Sequence, residues 1–219
     1  MDLTIDDVSD LLELPINVLK EWASQGILPA YRLGEEFRFS RVEIEDWLLK
    51  KNQSSVACKG VSHFCLFRAL NQGEVLGVIP GKSKREVLKN ASCRIAQDLG
   101  VDPEILTEML LDRESLMSTG IGSGIALPHT RELLSKSAID RLFVAYPESV
   151  LEYGSLDGKP VHTLFFIFAS YDKRHLQILA KLSHLSQSSQ ALTFFQTGPD
   201  KPALLSFISE WEDSLVCVS

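Results

Sequence analysis

The stretch Gly120-Ile-Gly-Ser-Gly-Ile-Ala-Leu-Pro-His129 sets three glycines within five residues and runs into a short apolar segment ending at Pro-His. Glycine has no Cβ, so such a run lets the backbone approach a neighbour or an anion closely. It lacks the Lys-Ser/Thr ending of a P-loop and the length of a dinucleotide fingerprint, so by itself it points to neither kind of nucleotide cradle. The information lies in what surrounds it.

Around this stretch, Ile125 to Leu127, Leu142 to Tyr146 and Val161 to Ala169 are short and rich in β-branched or aromatic residues, which predicts strands. Upstream, Ser83 and Glu86 form a capping box, and Val87, Leu88, Ala91, Ile95 and Leu99 follow on one helical face until Gly100. Asp102-Pro103 opens a second helix carrying Ile105, Leu106, Met109 and Leu110, and two more helices are expected at about 173–187 and 200–212. Interleaved strands and helices of this kind predict an α/β layered domain with a mixed sheet.

The N-terminal quarter has another character. Thr4 and Asp7 open a helix with Ile5, Val8, Leu11 and Leu12; Pro15 opens a second with Val18, Leu19 and Trp22, which Gly26 is placed to end. Tyr31/Leu33 and Phe37/Phe39 alternate about a Gly34-Glu35-Glu36 turn, predicting a hairpin, and Ser40 and Glu43 open a helix with Val42, Ile44, Trp47 and Leu48. Trp22 and Trp47 read as core residues. Residues 50–60 show no period and read as a connection, so the expected units are a module at 1–53, a linker at 54–63 and a second domain at 64–219.

Composition narrows the class. Hydrophobic residues make up 45% of the 219 and charged ones 23%, the balance of a folded globular protein. Residues 1–53 hold 6 Lys+Arg against 11 Asp+Glu, while the whole chain has a net charge of −7, so most of the acidity sits in the first quarter. Cys58, Cys65, Cys93 and Cys217 form no Cys-x-x-Cys pair, which argues against a zinc site and a disulfide framework and fits a reducing cytosol. No basic, apolar leader opens the chain and no apolar run nears the ~20 residues of a membrane span, so a cytoplasmic protein without membrane association is expected.

With these residues in view, Arg113-Glu114, Ser118-Thr119-Gly120, Gly122 and Gly124-Ile-Ala-Leu-Pro-His129 closely resemble the phosphorylation site of the fructose/mannitol-type and nitrogen-regulatory IIA domains of the bacterial phosphotransferase system. The likeness continues through Leu156-Asp-Gly-Lys-Pro-Val161 and His175-Leu-x-x-Leu-Ala-Lys-Leu182, over about residues 64 to 212. It implies that His129 accepts a phosphoryl group, that Arg113 balances its charge, that Thr119 donates a hydrogen bond and that His175 is the second histidine of the site. Imidazole suits the role, being nucleophilic when neutral near pH 7 and forming a phosphoramidate that stays reactive. No cofactor or metal is expected. Thr130 departs from the pattern, since many relatives have a small residue such as glycine there; it would either narrow access or help bind phosphate. His63, His162 and His184 read as structural or surface residues, with His184 on the solvent side of its helix.

The run Thr4 to Leu49, with Trp22, Gly26, Ile27 to Arg32, Gly34, Phe37 to Phe39 and Asp46 to Leu48, resembles the excisionase-like, MerR-type winged helix-turn-helix domains. That likeness implies DNA contacts from the second helix through Asn17, Lys20 and Ser24 and from the wing through Arg32 and Arg38. Acidity opposes it, because phosphate contacts supply most non-specific affinity, unless Arg32, Arg38, Arg41, Lys50 and Lys51 gather on one side. The expected function is a phosphocarrier with a regulatory output, and its partners are a phosphorylated HPr-like carrier and either a regulated target protein or a IIB protein. A DNA-binding regulator whose IIA-like domain only senses, or has lost, phosphorylation is the alternative. A homodimer held by the N-terminal module is a further one.

Overall fold

The computed structural model of the protein describes residues 2–12, 14–34, 36–51, 65–132, 134 and 139–216. The N-terminal module consists of β1 (Asp2–Thr4), α1 (Ile5–Leu12), α2 (Ile16–Ser24), β2 (Tyr31–Leu33), β3 (Glu36–Ser40) and α3 (Arg41–Lys51). The capping box at its start is formed: Thr4 N and Oγ1 donate to Asp7 Oδ2 at 2.9 and 2.7 Å, and Asp7 N donates to Thr4 Oγ1 at 3.1 Å. Pro15 stands at the N-cap of α2, and Gly26, at φ +70°, takes the left-handed conformation beyond its end.

The hairpin of β2 and β3 is joined on its other edge by β1, which the sequence reading left out, giving the order β1-β3-β2. Leu19, Leu28, Phe39, Ile44 and Leu48 are buried with Val8, Leu11 and Leu12. Trp22 and Trp47 are half-buried against that core, and Trp47 Nε1 donates to the Ile27 carbonyl at 2.6 Å. The expected linker at 54–63 and His63 lie outside the described residues.

The C-terminal domain follows with α4 (Leu66–Gln72), β4 (Val75–Ile79), α5 (Lys84–Leu99), α6 (Pro103–Leu116), β5 (Gly120–Gly122), β6 (Ile125–Ala126), β7 (Arg141–Pro147), β8 (Thr163–Phe168), α7 (Asp172–Leu185), α8 (Ser189–Gln196) and α9 (Lys201–Val216). Its sheet is mixed, in the order β4-β7-β8-β6-β5, with β4/β7 and β6/β8 parallel and β7/β8 and β5/β6 antiparallel. Along β8, Leu164, Phe166 and Phe168 join the core under α5 and α6, while Phe165 and Ile167 join the core under α7, α8 and α9. A strand covered on both faces reads as one apolar run instead of an alternation.

Ser83 and Gly100 cap α5 as expected, with Glu86 N donating to Ser83 Oγ at 3.3 Å and Gly100 at φ +65°, and Asp102 Oδ1 accepts from Glu104 N and Ile105 N at the start of α6. The strand expected from Val161 begins at Thr163, because Val161 exchanges backbone hydrogen bonds with Leu151 at 2.8 and 2.9 Å. Helices α4 and α8 and strands β4 and β5 went unread in the sequence. In β4 the cause is visible: Gly77 sits at φ +70° and shifts the register against β7.

The module lies directly on the domain. α1 and α3 pack against α7, and α3 also reaches β5. The apolar cluster of the module is continuous with the one beneath α7.

Candidate functional site

Three elements converge on His129. It follows β6 and forms a parallel bridge with Ile167 of β8, so it stands at the carboxyl ends of two parallel strands. α7 starts four residues after β8, and His175 sits at the end of its first turn. The carboxyl ends of parallel strands are where α/β sheets gather ligands. The two rings, both buried, meet edge-on with centroids 4.9 Å apart. Arg113 comes from the last turn of α6, where Nη1 donates to the Met117 carbonyl at 3.0 Å and the helix C-terminus favours a cation.

One hydrogen bond fixes the chemistry of His129. Nδ1 lies 2.7 Å from the Leu127 carbonyl oxygen, which can only accept, so Nδ1 carries a proton and Nε2 is the nitrogen offered to the site. Arg113 Nε stands 3.0 Å from Nε2.

A fourth group comes from the other domain. Glu45 of α3, itself buried, places Oε1 2.5 Å from His129 Nε2 and 3.0 Å from both Nε and Nη2 of Arg113, with Oε2 3.5 Å from His175 Nε2. Asp46 Oδ1 adds a longer contact of 3.4 Å to Arg113. Burial opposes ionisation of Glu45, but the charge and hydrogen bond of His129, with a weaker contribution from His175 at 3.5 Å, outweigh it and hold the carboxyl far below the ordinary carboxylate range. For His175 burial dominates and lowers the pKa to about 4 despite Glu45, so the ring is neutral at pH 7. Among the described residues its Nε2 has no hydrogen-bond partner within normal reach.

Thr119 behaves differently from expectation. Its hydroxyl donates to Glu114 Oε2 at 2.6 Å and contacts Tyr153 Oη at 3.2 Å, while its backbone N–H also donates to Glu114 at 3.0 Å. Lys84 Nζ closes this network at 3.0 Å from Glu114 Oε1 and 2.8 Å from the Tyr153 carbonyl. Thr119 therefore locks the turn after α6 and directs no free hydrogen toward His129. The Thr130 hydroxyl is likewise held, by the Glu132 carbonyl at 2.7 Å.

The glycines of the opening stretch serve the chain itself. A Cβ on Gly124 would lie 2.3 Å from the His162 ring, and one on Gly120 would lie 2.6 Å from Ser155 Oγ. Their close approach is to neighbouring loops. His162 is half-buried there, its Nδ1 2.8 Å from Thr163 Oγ1. His184 corrects the sequence reading: α9 covers that side of α7, and the ring packs 5.5 Å from Trp211 instead of facing solvent.

Of the residues implied for DNA contact, Asn17, Lys20, Ser24 and Arg32 are exposed on α2 and β2, and Arg38 is half-buried with an ion pair to Glu36 at 2.7 Å. Arg41 does not join them. It pairs with Asp172 of α7 at 2.8 Å, across the seam between module and domain. The sequence reading missed Glu45 and Asp46 as site residues. Their only signal was the excess acidity of the module facing a domain with an arginine-bearing site.

Glu45, His129 and His175 offer three potential metal-ligand atoms within 4.8 Å of one another. The Arg113 guanidinium touches two of them, so a cation would sit against a fixed positive charge, and the constellation suits an anion instead.

The family model described as "Phosphoenolpyruvate-dependent sugar phosphotransferase system, EIIA 2" matches residues 70–211. The chain belongs to that family. Ahead of this EIIA 2 domain, a second model, described as "Helix-turn-helix domain", matches residues 3–52. Among relatives, a nitrogen regulatory protein of Pseudomonas aeruginosa is 30% identical over 146 residues, covering 65% of this chain and 94% of that one. A fructose-specific EIIABC component of Bacillus subtilis is 32% identical over 113 residues, 50% of this chain but 17% of that one. The EIIA 2 domain also has the fold of a solved nitrogen regulatory protein IIA-Ntr of Neisseria meningitidis, with a TM-score of 0.57 at 22% identity, covering 65% of this chain and 98% of that one.

Proposed function

We propose that the chain is a regulatory phosphocarrier that accepts a phosphoryl group on His129 Nε2 from a phosphorylated HPr-like protein. The carrying observation is the Nδ1 contact to the Leu127 carbonyl, which leaves Nε2 as the nitrogen facing Arg113 and His175. In the transfer, the donor's P–N bond breaks and its electron pair returns to the donor imidazole, while the Nε2 lone pair forms the new P–N bond. Leu127 then faces the Nδ1–H of a ring that has become positive. Arg113 offsets the roughly −1.5 to −2 charge expected for a phosphoryl group, and the unsatisfied His175 Nε2 is the donor for one of its oxygens. Such transfer depends mainly on positioning and charge.

In this reading residues 1–53 and 64–219 are the two functional units, and the chain works in the cytoplasm. No helix among the described residues is long and apolar enough to cross a membrane. Incubation with phosphoenolpyruvate, the general phosphotransferase enzyme and HPr should yield an acid-labile, base-stable phosphoprotein. If none forms, or if it persists in His129→Ala, the assignment is wrong. Onward transfer to a IIB protein would mark a sugar-transport role.

A second reading, DNA binding by the module, is favoured by the exposure of Asn17, Lys20, Ser24 and Arg32 while α1 and α3 lie on the EIIA 2 domain. It predicts duplex affinity that falls steeply with salt and weakens in Arg32→Ala. A flat salt response counts against it.

A further inference from the structure

We propose that Glu45 occupies the phosphoryl position itself, so that docking of the N-terminal module and phosphorylation of His129 exclude one another and transfer to His129 releases the module. The inference rests on the phosphocarrier reading of His129 and adds a partner for its site: residues 2–51 of the same chain.

The contacts of the Glu45 carboxylate are those a phosphoryl group on Nε2 would need. One oxygen is held by Nε2 and by two nitrogens of Arg113, and the other faces the unsatisfied Nε2 of His175. Glu45 Oε1 lies 2.5 Å from Nε2, so the carboxylate fills the position in which Nε2 would meet phosphorus. The docked form thus leaves no approach to the nucleophile, and the side chain of His129 is 0% exposed. A donor must bring its phosphorus to roughly 3–3.5 Å of Nε2, which the module prevents.

The exclusion works in the other direction as well. A phosphoryl group on Nε2 would put a second, larger anion where the Glu45 oxygens lie, turning the central attraction of the seam into repulsion. What remains is the Arg41–Asp172 pair, the half-exposed Lys173–Asp10 pair at 3.0 Å, the longer Asp46–Arg113 contact at 3.4 Å and the apolar contact of α1 and α3 with α7. The exposed Lys173–Asp10 pair adds little. A cleft of about 590 Å³ already runs beside Glu45 and Arg113, lined also by Arg41 and Arg131, so water reaches the edge of the contact before the module leaves.

The test compares the full chain with Glu45→Gln, Glu45→Ala and, remote from His129, Lys173→Glu, which sets like charges against Asp10. Phosphorylation by the enzyme and HPr should be at least tenfold faster in both Glu45 variants and a few-fold faster in Lys173→Glu. Small-angle scattering should show a larger radius of gyration for the phosphorylated wild type than for the unphosphorylated one. Equal rates in all four proteins, with no change of radius on phosphorylation, overturn the inference while leaving His129 as the acceptor. Absence of phosphohistidine in every variant overturns the phosphocarrier reading, and this inference with it.

Discussion

Two buried glutamates sit close to Arg113, and they are held in opposite ways. Glu114, next in sequence, is bound by Lys84, by the backbone and hydroxyl of Thr119 and, through that hydroxyl, by Tyr153, all within one domain. Glu45 finds its partners only across the seam, in His129, Arg113 and His175. The first carboxylate fastens α6 to the loops that carry the site. The second can leave with its module and return to water, so its burial is conditional. A buried charge whose partners share its domain is a structural fixture, whereas one whose partners lie on another body can act as a latch.

Substitutions should separate these roles. The largest effect is expected from Arg113→Ala, which removes the cation of the site: phosphohistidine formation should slow about 10²- to 10³-fold, measured by single-turnover transfer from HPr. Next, Glu114→Ala should lower the stability of the C-terminal domain by about 3 kcal/mol in urea denaturation, because Lys84 and the Thr119 N–H lose their partner. In the same measurement Glu45→Ala should cost less, about 1.4 kcal/mol, the equivalent of a tenfold weaker docking. Equal losses for the two would end the distinction.

Acid should weaken docking. His175, held to a pKa of about 4 when covered by the module, binds a proton more readily when uncovered, so docking strength falls as pH drops from about 6.5 toward 4. The contribution of Glu45 has the same sign: its carboxyl is depressed when docked, so its support is complete above its ordinary value near 4.5 and is lost below it. Scattering at pH 7 and pH 5 should show the radius increasing at the lower pH. The smallest effect belongs to Lys173→Ala, whose exposed pair with Asp10 should be worth about 0.5 kcal/mol or less and should fade with salt.

Much of the architecture was legible in the sequence because its signals are local. Helix-capping residues at Thr4, Ser83 and Asp102, left-handed glycines at Gly26 and Gly100 and the apolar run of β8 announce themselves within a few residues. His129, Arg113 and His175 were named from motif likeness, and the fold brings them together. Thr119 was named as a hydrogen-bond donor of the site, and nothing in the motif shows that Glu114 takes its hydrogen. Glu45 was illegible for a clearer reason. It lies beside the apolar positions Ile44 and Leu48 on α3, where a carboxylate normally meets solvent, and only the docking of a second domain buries it.

The apolar cluster that runs unbroken from Val8 through Leu176 to Ile208 has a calorimetric consequence. While the module is seated, helix-turn-helix and EIIA 2 regions share one interior and should lose it together, as a single heat-absorption peak whose van't Hoff and calorimetric enthalpies agree. Once a phosphoryl group stands on His129, the small N-terminal body must melt on its own modest core, and the thermogram should divide in two.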